Sequence, residues 1–125
     1  METLKIEETK YTPSIELNQS TGTISIIGKS YPENTFEFYE PVMKWIEEYF
    51  DGNAIEETTI NLEIIYFNSS SSKLFFDFFD LLEENNNDHK ITINWIYDEE
   101  NESALEAGED FQEDFEDLTI NLLSK

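Results

Sequence analysis

The chain has 125 residues, the length of one typical domain, and its 29 acidic residues against seven basic ones, all lysines, give a formal net charge of −22. Because 38% of the residues are apolar and 14% aromatic, the composition favours a folded, very acidic domain over a disordered acidic chain. Such a charge repels polyanions, so nucleic acids and anionic membrane surfaces are poor partners.

The first part of the chain has the pattern of β-strands. Apolar and polar residues alternate over residues 15–17 and 23–27, on either side of turn residues 18–22, which predicts a β-hairpin. A short strand over residues 4–6 is expected to precede it.

Helical spacing follows the hairpin. Apolar residues recur every three or four positions from Phe36 to Phe50, which predicts a helix. The helix is expected to begin near Asn34, to kink or restart at Pro41, and to end at the turn over residues 51–53.

Two further pairs of strand and helix, and one last strand, complete the chain. Residues 60–67 alternate, and near their end both sides are apolar, which predicts a central strand buried there on both faces. A second helix is expected from the serine run to about Glu84, and a strand over residues 91–97. A third helix over residues 104–115 and a strand around residues 120–122 follow.

The predicted order of elements is therefore ββαβαβαβ. We expect one α/β domain over residues 1–125, with a single mixed β-sheet and about three helices. The strand-helix-strand units favour parallel neighbours, and the opening hairpin adds an antiparallel edge.

The serine run Ser69 to Ser72 is the one local oddity of the sequence. It lies where a buried strand leads into a helix, the end of the strand at which open α/β sheets usually place their sites. At 100° per residue, Ser71 points into the core and Ser69 projects toward the polar side, one turn before Lys73.

Two explanations of the serine run stay open from the residues alone. In the first, Asn68, Ser69 or Ser70 caps the helix by accepting a hydrogen bond from an N–H group of its first turn. In the second, a hydroxyl here is phosphorylated, because a phosphate at a helix N-terminus finds unsatisfied N–H groups and the positive end of the helix dipole.

Catalytic and metal sites have little support. The chain has no cysteine and a single histidine, His89, which reads as an exposed polar residue, so we expect no metal and no cofactor. Ser70-x-x-Lys73 matches the serine-lysine pair of β-lactamases, but the accompanying motifs are absent, and we predict that the protein is not an enzyme. The acidic loop at residues 98–102 lacks the alternating ligands of an EF-hand and reads as solvated.

Phe76 and Leu105 fall outside the apolar stripes of their helices. Either residue can be covered by a loop, or the two can mark a surface that binds a partner protein. The N-terminus has no apolar signal segment, and no apolar run approaches 18 residues, so a cytoplasmic protein without direct membrane insertion is expected.

Six short motifs, in this order along nearly the whole chain, resemble the SiaC family of bacterial regulatory phosphoproteins. They are Lys10-Tyr11-Thr12-Pro13, Gly28-Lys29-Ser30-Tyr31-Pro32-Glu33-Asn34, Glu40-Pro41-Val42, Tyr66-Phe67-Asn68-Ser69-Ser70-Ser71-Ser72-Lys73, Asn94-Trp95 with Tyr97-Asp98-Glu99-Glu100, and Glu106-Ala107-Gly108-Glu109. The family is similar in fold to STAS domains of the anti-sigma factor antagonist type.

The resemblance implies a protein that exchanges partners according to its phosphorylation. A dedicated kinase would phosphorylate the hydroxyl after Asn68, which is Ser69 here, with Ser70 and Ser71 as alternates. A PP2C-type phosphatase would remove the phosphate, and the unmodified form would bind an effector, in the family a diguanylate cyclase of cyclic di-GMP signalling. Asn68, Ser70, Lys73 and Phe76 are the predicted partner-binding residues.

Two other functions remain as alternatives. One is a constitutive acidic scaffold whose serines only cap a helix. The other is an anti-sigma factor antagonist in a sigma-factor switch, from which this chain departs by having Asn68 where those proteins carry Asp.

Overall fold

The computed structural model describes all residues from Met1 to Lys125 and contains six strands and three helices. The strands are β1 (Leu4–Ile6), β2 (Ser14–Asn18), β3 (Thr23–Ser30), β4 (Glu57–Phe67), β5 (Lys90–Tyr97) and β6 (Thr119–Ser124). The helices are α1 (Thr35–Phe50), α2 (Ser69–Asn85) and α3 (Glu102–Asp114).

All six strands form one sheet, in which they lie side by side in the order of the chain. β1, β2 and β3 pair antiparallel, and β3 to β6 pair parallel. The predicted mixed sheet and the three helices are confirmed. The observed order is βββαβαβαβ, which is the predicted ββαβαβαβ preceded by β1, the short strand expected over residues 4–6.

The sequential strand order places all three helices on one face of the sheet. Crossovers between parallel strands are right-handed, and here each one advances in the same direction, so each helix returns over the same side. Every second strand residue is accordingly buried under the helices. The largest fully buried side chains are Trp95, Tyr39, Tyr49, Phe75 and Phe79.

The opposite face of the sheet, here called the open face, has no helix over it. Its strand residues include Glu16, Ser25, Ile27, Lys29, Thr59, Asn61, Glu63, Thr92, Asn94, Ile96, Thr119, Asn121 and Leu123.

The prediction that β4 is buried on both faces at its end is wrong. Ile65 and Tyr66 are 50% and 54% exposed, because no helix crosses the open face. The pairing also shifts there, since Gly28 faces Ile64 but Lys29 faces Tyr66, which leaves Ile65 as an extra residue in β4. Tyr66 then points outward, and Phe67 packs against the core ring of Phe75.

The predicted restart of the first helix at Pro41 is also wrong, because α1 is one continuous helix with Pro41 inside it. Proline removes one backbone donor, and here its ring is exposed. The buried residues Tyr39 and Val42 flank it on the sheet side, and their packing offsets the lost hydrogen bond. Asn34 caps the helix by accepting from the N–H of Glu37, as its predicted start required.

None of the three helices combines the length and the apolar character that crossing a bilayer requires. His89 differs from its prediction as an exposed residue: its ring is partly buried and lies 4.9 Å from that of Phe50, centroid to centroid.

Candidate functional site

The junction between β4 and α2 is organised by Asn68. Its side-chain Oδ1 accepts a 2.9 Å hydrogen bond from the N–H of Ser71, and its own N–H donates to the carbonyl of Ser30. Asn68 is therefore the N-cap of α2, with extended backbone as caps have. Neither Ser69 nor Ser70 is needed for capping.

Ser71 is fully buried, as its position on the helical wheel predicts, and belongs to a chain of hydroxyls. Its Oγ donates to the carbonyl of Ser30 at 2.9 Å and lies 2.8 Å from the Oγ of Ser30. Since each hydroxyl has one proton, Ser30 donates to Ser71, and the Tyr39 hydroxyl, 2.7 Å away, donates to Ser30. This chain fastens the start of α2 to β3 and α1.

Burial raises the pKa of Tyr39 from 10.0 to about 12. Below pH 10 the folded and unfolded chains both keep this proton, and between pH 10 and pH 12 only the unfolded chain loses it. We therefore expect this group to lower the free energy of unfolding by about 2 kcal/mol between about pH 9 and about pH 11.5.

Urea unfolding of the natural protein and of Tyr39→Phe at both pH values measures this contribution. The variant keeps the other tyrosines and the lysines, so the difference between the two losses isolates Tyr39. Equal losses of stability in the two proteins would contradict the assignment.

Ser69 and Ser70 have the opposite environment from Ser71. Both side chains are exposed, and neither hydroxyl makes a hydrogen bond. Their backbone N–H groups also donate to nothing in the fold. The first turn of α2 contains no acidic residue, so its partial positive charge is not neutralised. A hydroxyl, two free N–H donors and a helix dipole thus meet at this surface.

A groove of about 720 Å³ runs from this junction between α2 and α3. Ser69, Ser72 and Lys73 line one end, and Phe67 and Phe111 lie deeper. The acidic groups along it are Asp77, Glu106, Asp110 and Asp114. Lys73 is exposed and has no ion pair in the fold, so its ammonium group is available to an anion at the helix start.

Phe76 also lines the groove and is 46% exposed. Its ring lies 4.9 Å from that of Phe115, just beyond α3, so one side is packed and the other is free. Leu105, the second residue outside an apolar stripe, is partly buried. The structure thus places Ser69, Lys73 and Phe76 in the lining of one groove, whereas Asn68 and Ser70, their neighbours in the chain, do not line it.

Sequence reasoning missed the wall contributed by α3 and the hydroxyl chain of Ser30 and Tyr39. The signal for Ser30 was present, because Ile24, Ile26 and Ser30 share the alternation that points to the core. The α3 wall had no local signal, since it depends on the packing of one helix beside another.

The other sites considered from the sequence gain no support. Ser70 and Lys73 are exposed and not hydrogen-bonded to each other, so Ser70 has no base to activate it. No group of three or more acidic or histidine side chains converges as metal ligands do. In the acidic loop, Asp98 accepts a hydrogen bond from the N–H of Glu100, and the residues around it are exposed.

Comparison with known proteins assigns the chain to a family. The model of the SiaC family of regulatory phosphoproteins matches residues 6–125. The chain belongs to the SiaC family. An uncharacterised protein of Pseudomonas aeruginosa strain UCBPP-PA14 is 38% identical over 116 residues, which are 91% of this chain and 90% of that protein.

Two solved SiaC structures from Pseudomonas aeruginosa have the same fold. Apo-SiaC superposes with a TM-score of 0.91 and 32% identity, over 99% of this chain and 100% of that one. SiaC in complex with the diguanylate cyclase SiaD, of which it is the activator, superposes with a TM-score of 0.90 and 32% identity. That comparison covers 98% of this chain and 99% of the SiaC chain. This SiaC-family chain is accordingly a regulatory phosphoprotein by family.

Proposed function

We propose that this protein binds and regulates a diguanylate cyclase in its unmodified form, and that phosphorylation of Ser69 releases the cyclase. A dedicated kinase adds the phosphate and a PP2C-type phosphatase removes it, in the cytoplasm, and the protein itself catalyses no reaction. The observation that carries the proposal is the free hydroxyl of Ser69 at a helix start already capped by Asn68.

The geometry supports Ser69 as the acceptor over its neighbours. Ser71 is fully buried and its hydroxyl is already committed to Ser30, so a kinase would have to unfold the start of α2 to reach it. Ser72 is partly buried. Ser70 is also exposed, but it does not line the groove, whereas Ser69 does.

A phosphate on Ser69 fits the fold without rearrangement. It adds about 1.5 to 2 negative charges, which the free N–H groups of Ser69 and Ser70 and the unpaired Lys73 are placed to receive. The fold is therefore retained while the surface changes its charge.

The groove supplies the docking surface in this proposal. Phe76 offers an exposed aromatic ring, and the acidic side chains along the groove favour a partner segment with apolar and cationic groups. Asn68, Ser70 and Lys73 lie at the end of the same surface, so the modification takes place beside the contact that it controls.

Asn68, one of the three residues considered as the cap, is the residue that caps α2, so Ser69 and Ser70 have no capping role. The alternative of a scaffold whose serines cap the helix loses its support, and both exposed hydroxyls stay available for modification.

Phosphosite mapping tests the proposal. Protein purified from its native host, with and without phosphatase treatment, is compared by intact mass, and the modified residue is located by fragmentation. We expect one removable phosphate, on Ser69. Phosphate confined to Ser70, Ser71 or Ser72 would contradict the assignment of the acceptor.

A further inference from the structure

The open face differs in charge from the rest of the molecule. Its strand residues include three glutamates, each paired with a lysine. Lys5 with Glu16 at 3.7 Å and Lys90 with Glu57 at 2.7 Å join adjacent strands, and Lys125, just after β6, reaches Glu63 of β4 at 2.8 Å. A fourth lysine, Lys29, lies on the same face. The other 26 of the 29 acidic residues lie outside the strands, and only three of the seven lysines are not on this face.

The charge of −22 is thus almost entirely carried by the helices and loops. The open face is therefore close to neutral. Its exposed charge pairs contribute little to the stability of the fold. The charge pairs matter for association instead. Because they neutralise the open face, it is the one broad surface that another strongly acidic protein can approach without strong repulsion.

The uncharged polar side chains of the open face can form hydrogen bonds with side chains of the same type. Asn61, Asn94 and Asn121 form a ladder across three strands, with amide hydrogen bonds of 2.9 and 3.2 Å. Four threonines, Thr23, Thr59, Thr92 and Thr119, lie side by side in register. Amides and hydroxyls both donate and accept, which suits a symmetric contact in which each residue type meets itself.

Apolar side chains complete the face. Ile27 and Leu123 are 42% and 44% exposed, and Ile96 lies beside Leu123 in the sheet. Covering them would remove apolar surface from water, which is the general driving force of association.

We propose that a second copy of this chain packs its open face against this one, giving a weak symmetric dimer. Sheets pack face to face about 10 Å apart, with interdigitating side chains. Six strands about 4.8 Å apart and about six residues long offer roughly 500 Å² per copy, or about 1,000 Å² in total. That area is at the lower limit for a specific interface, so the dimer forms at high micromolar concentration.

This dimer does not depend on the proposed function. The groove with Ser69 lies among the helices, on the other face of the sheet, and stays accessible in both copies.

Sedimentation velocity of the full chain, from about 10 µM to about 1 mM, tests the proposal. We expect a concentration-dependent shift from monomer to dimer, which strengthens as salt is raised because the two like-charged copies repel each other less. Leu123→Glu is expected to raise the dissociation constant at least tenfold.

Phe36→Glu is the matched control, because it also replaces a half-exposed apolar side chain with a carboxylate, but on α1. Circular dichroism checks that both variants stay folded. A natural protein that remains monomeric at 1 mM would overturn the proposal, as would equal weakening by Phe36→Glu. If the natural protein formed no dimer and Leu123→Glu lost cyclase binding, the open face would be assigned to the cyclase. That result would also overturn the dimer proposal.

Discussion

Phosphorylation of Ser69 is expected to weaken binding of the diguanylate cyclase by about 100-fold or more. A partner docked over the start of α2 would have to desolvate a phosphate dianion beside the acidic groove, at a cost of about 3 kcal/mol. Ser69→Asp is expected to weaken binding only about tenfold, since a carboxylate has less charge and one oxygen fewer. Ser69→Ala is expected to bind the cyclase as tightly as the unmodified protein does, and incubation with the kinase is expected to leave this affinity unchanged.

Titration calorimetry with the unmodified, phosphorylated and substituted proteins measures these affinities. Ser20→Asp is the control for added negative charge, because Ser20 is exposed in the β2–β3 turn, at the opposite end of the strands from the start of α2. Phe76→Ala removes an apolar contact from the groove and should weaken cyclase binding. The variant should still be phosphorylated by the kinase as the natural protein is. The switch would be wrongly placed if Ser69→Ala were still phosphorylated and still released the cyclase.

Replacing Gly108 with alanine is expected to lower the free energy of unfolding by about 2 kcal/mol and the Tm by roughly 8 °C. A Cβ at Gly108 would lie 2.5 Å from Cδ1 of Trp95 and 2.7 Å from Cδ2 of Leu122. Trp95 is fully buried and its Nε1 donates to the carbonyl of Ala104 at 2.8 Å, so α3 has to move instead. The helix propensity of alanine, about 1 kcal/mol better than glycine, offsets part of the cost.

Gly52→Ala is a useful comparison, since nothing lies within 4 Å of a Cβ there and the cost comes from its φ of +85° alone. Thermal unfolding compares the two variants. Because α3 forms one wall of the groove, Gly108→Ala should also weaken cyclase binding, whereas Gly52→Ala should not. A Gly108→Ala protein as stable as the natural one would contradict the close packing of α3 on β5.

The local hydrophobic pattern of the sequence was sufficient to predict the strands and helices. Each of β2 to β6 shows an alternating apolar pattern, and α1, α2 and α3 show helical spacing. These patterns reflect which residues each element buries, and they can be read from the sequence directly. The direction of Ser71 into the core followed from helix geometry alone, because the apolar stripe of α2 sets the rotation of its first turn.

Properties that depend on neighbouring elements had to come from the tertiary structure. Ile65 and Tyr66 looked buried because they are apolar, but their exposure depends on the absence of a helix over the open face. The choice of Asn68 over the serines as the cap rests on one backbone geometry, and all of these residue types can cap a helix.

The sequence by itself determined the order of the elements, the exposure of Ser69 and the large negative charge of the chain. The tertiary structure alone decided where that charge lies, since the three glutamates of the open face meet lysines of another strand or of the C-terminus only once the sheet has formed. It also decided that α3 closes the groove beside Ser69, because the close approach of two helices depends on how both pack on the sheet.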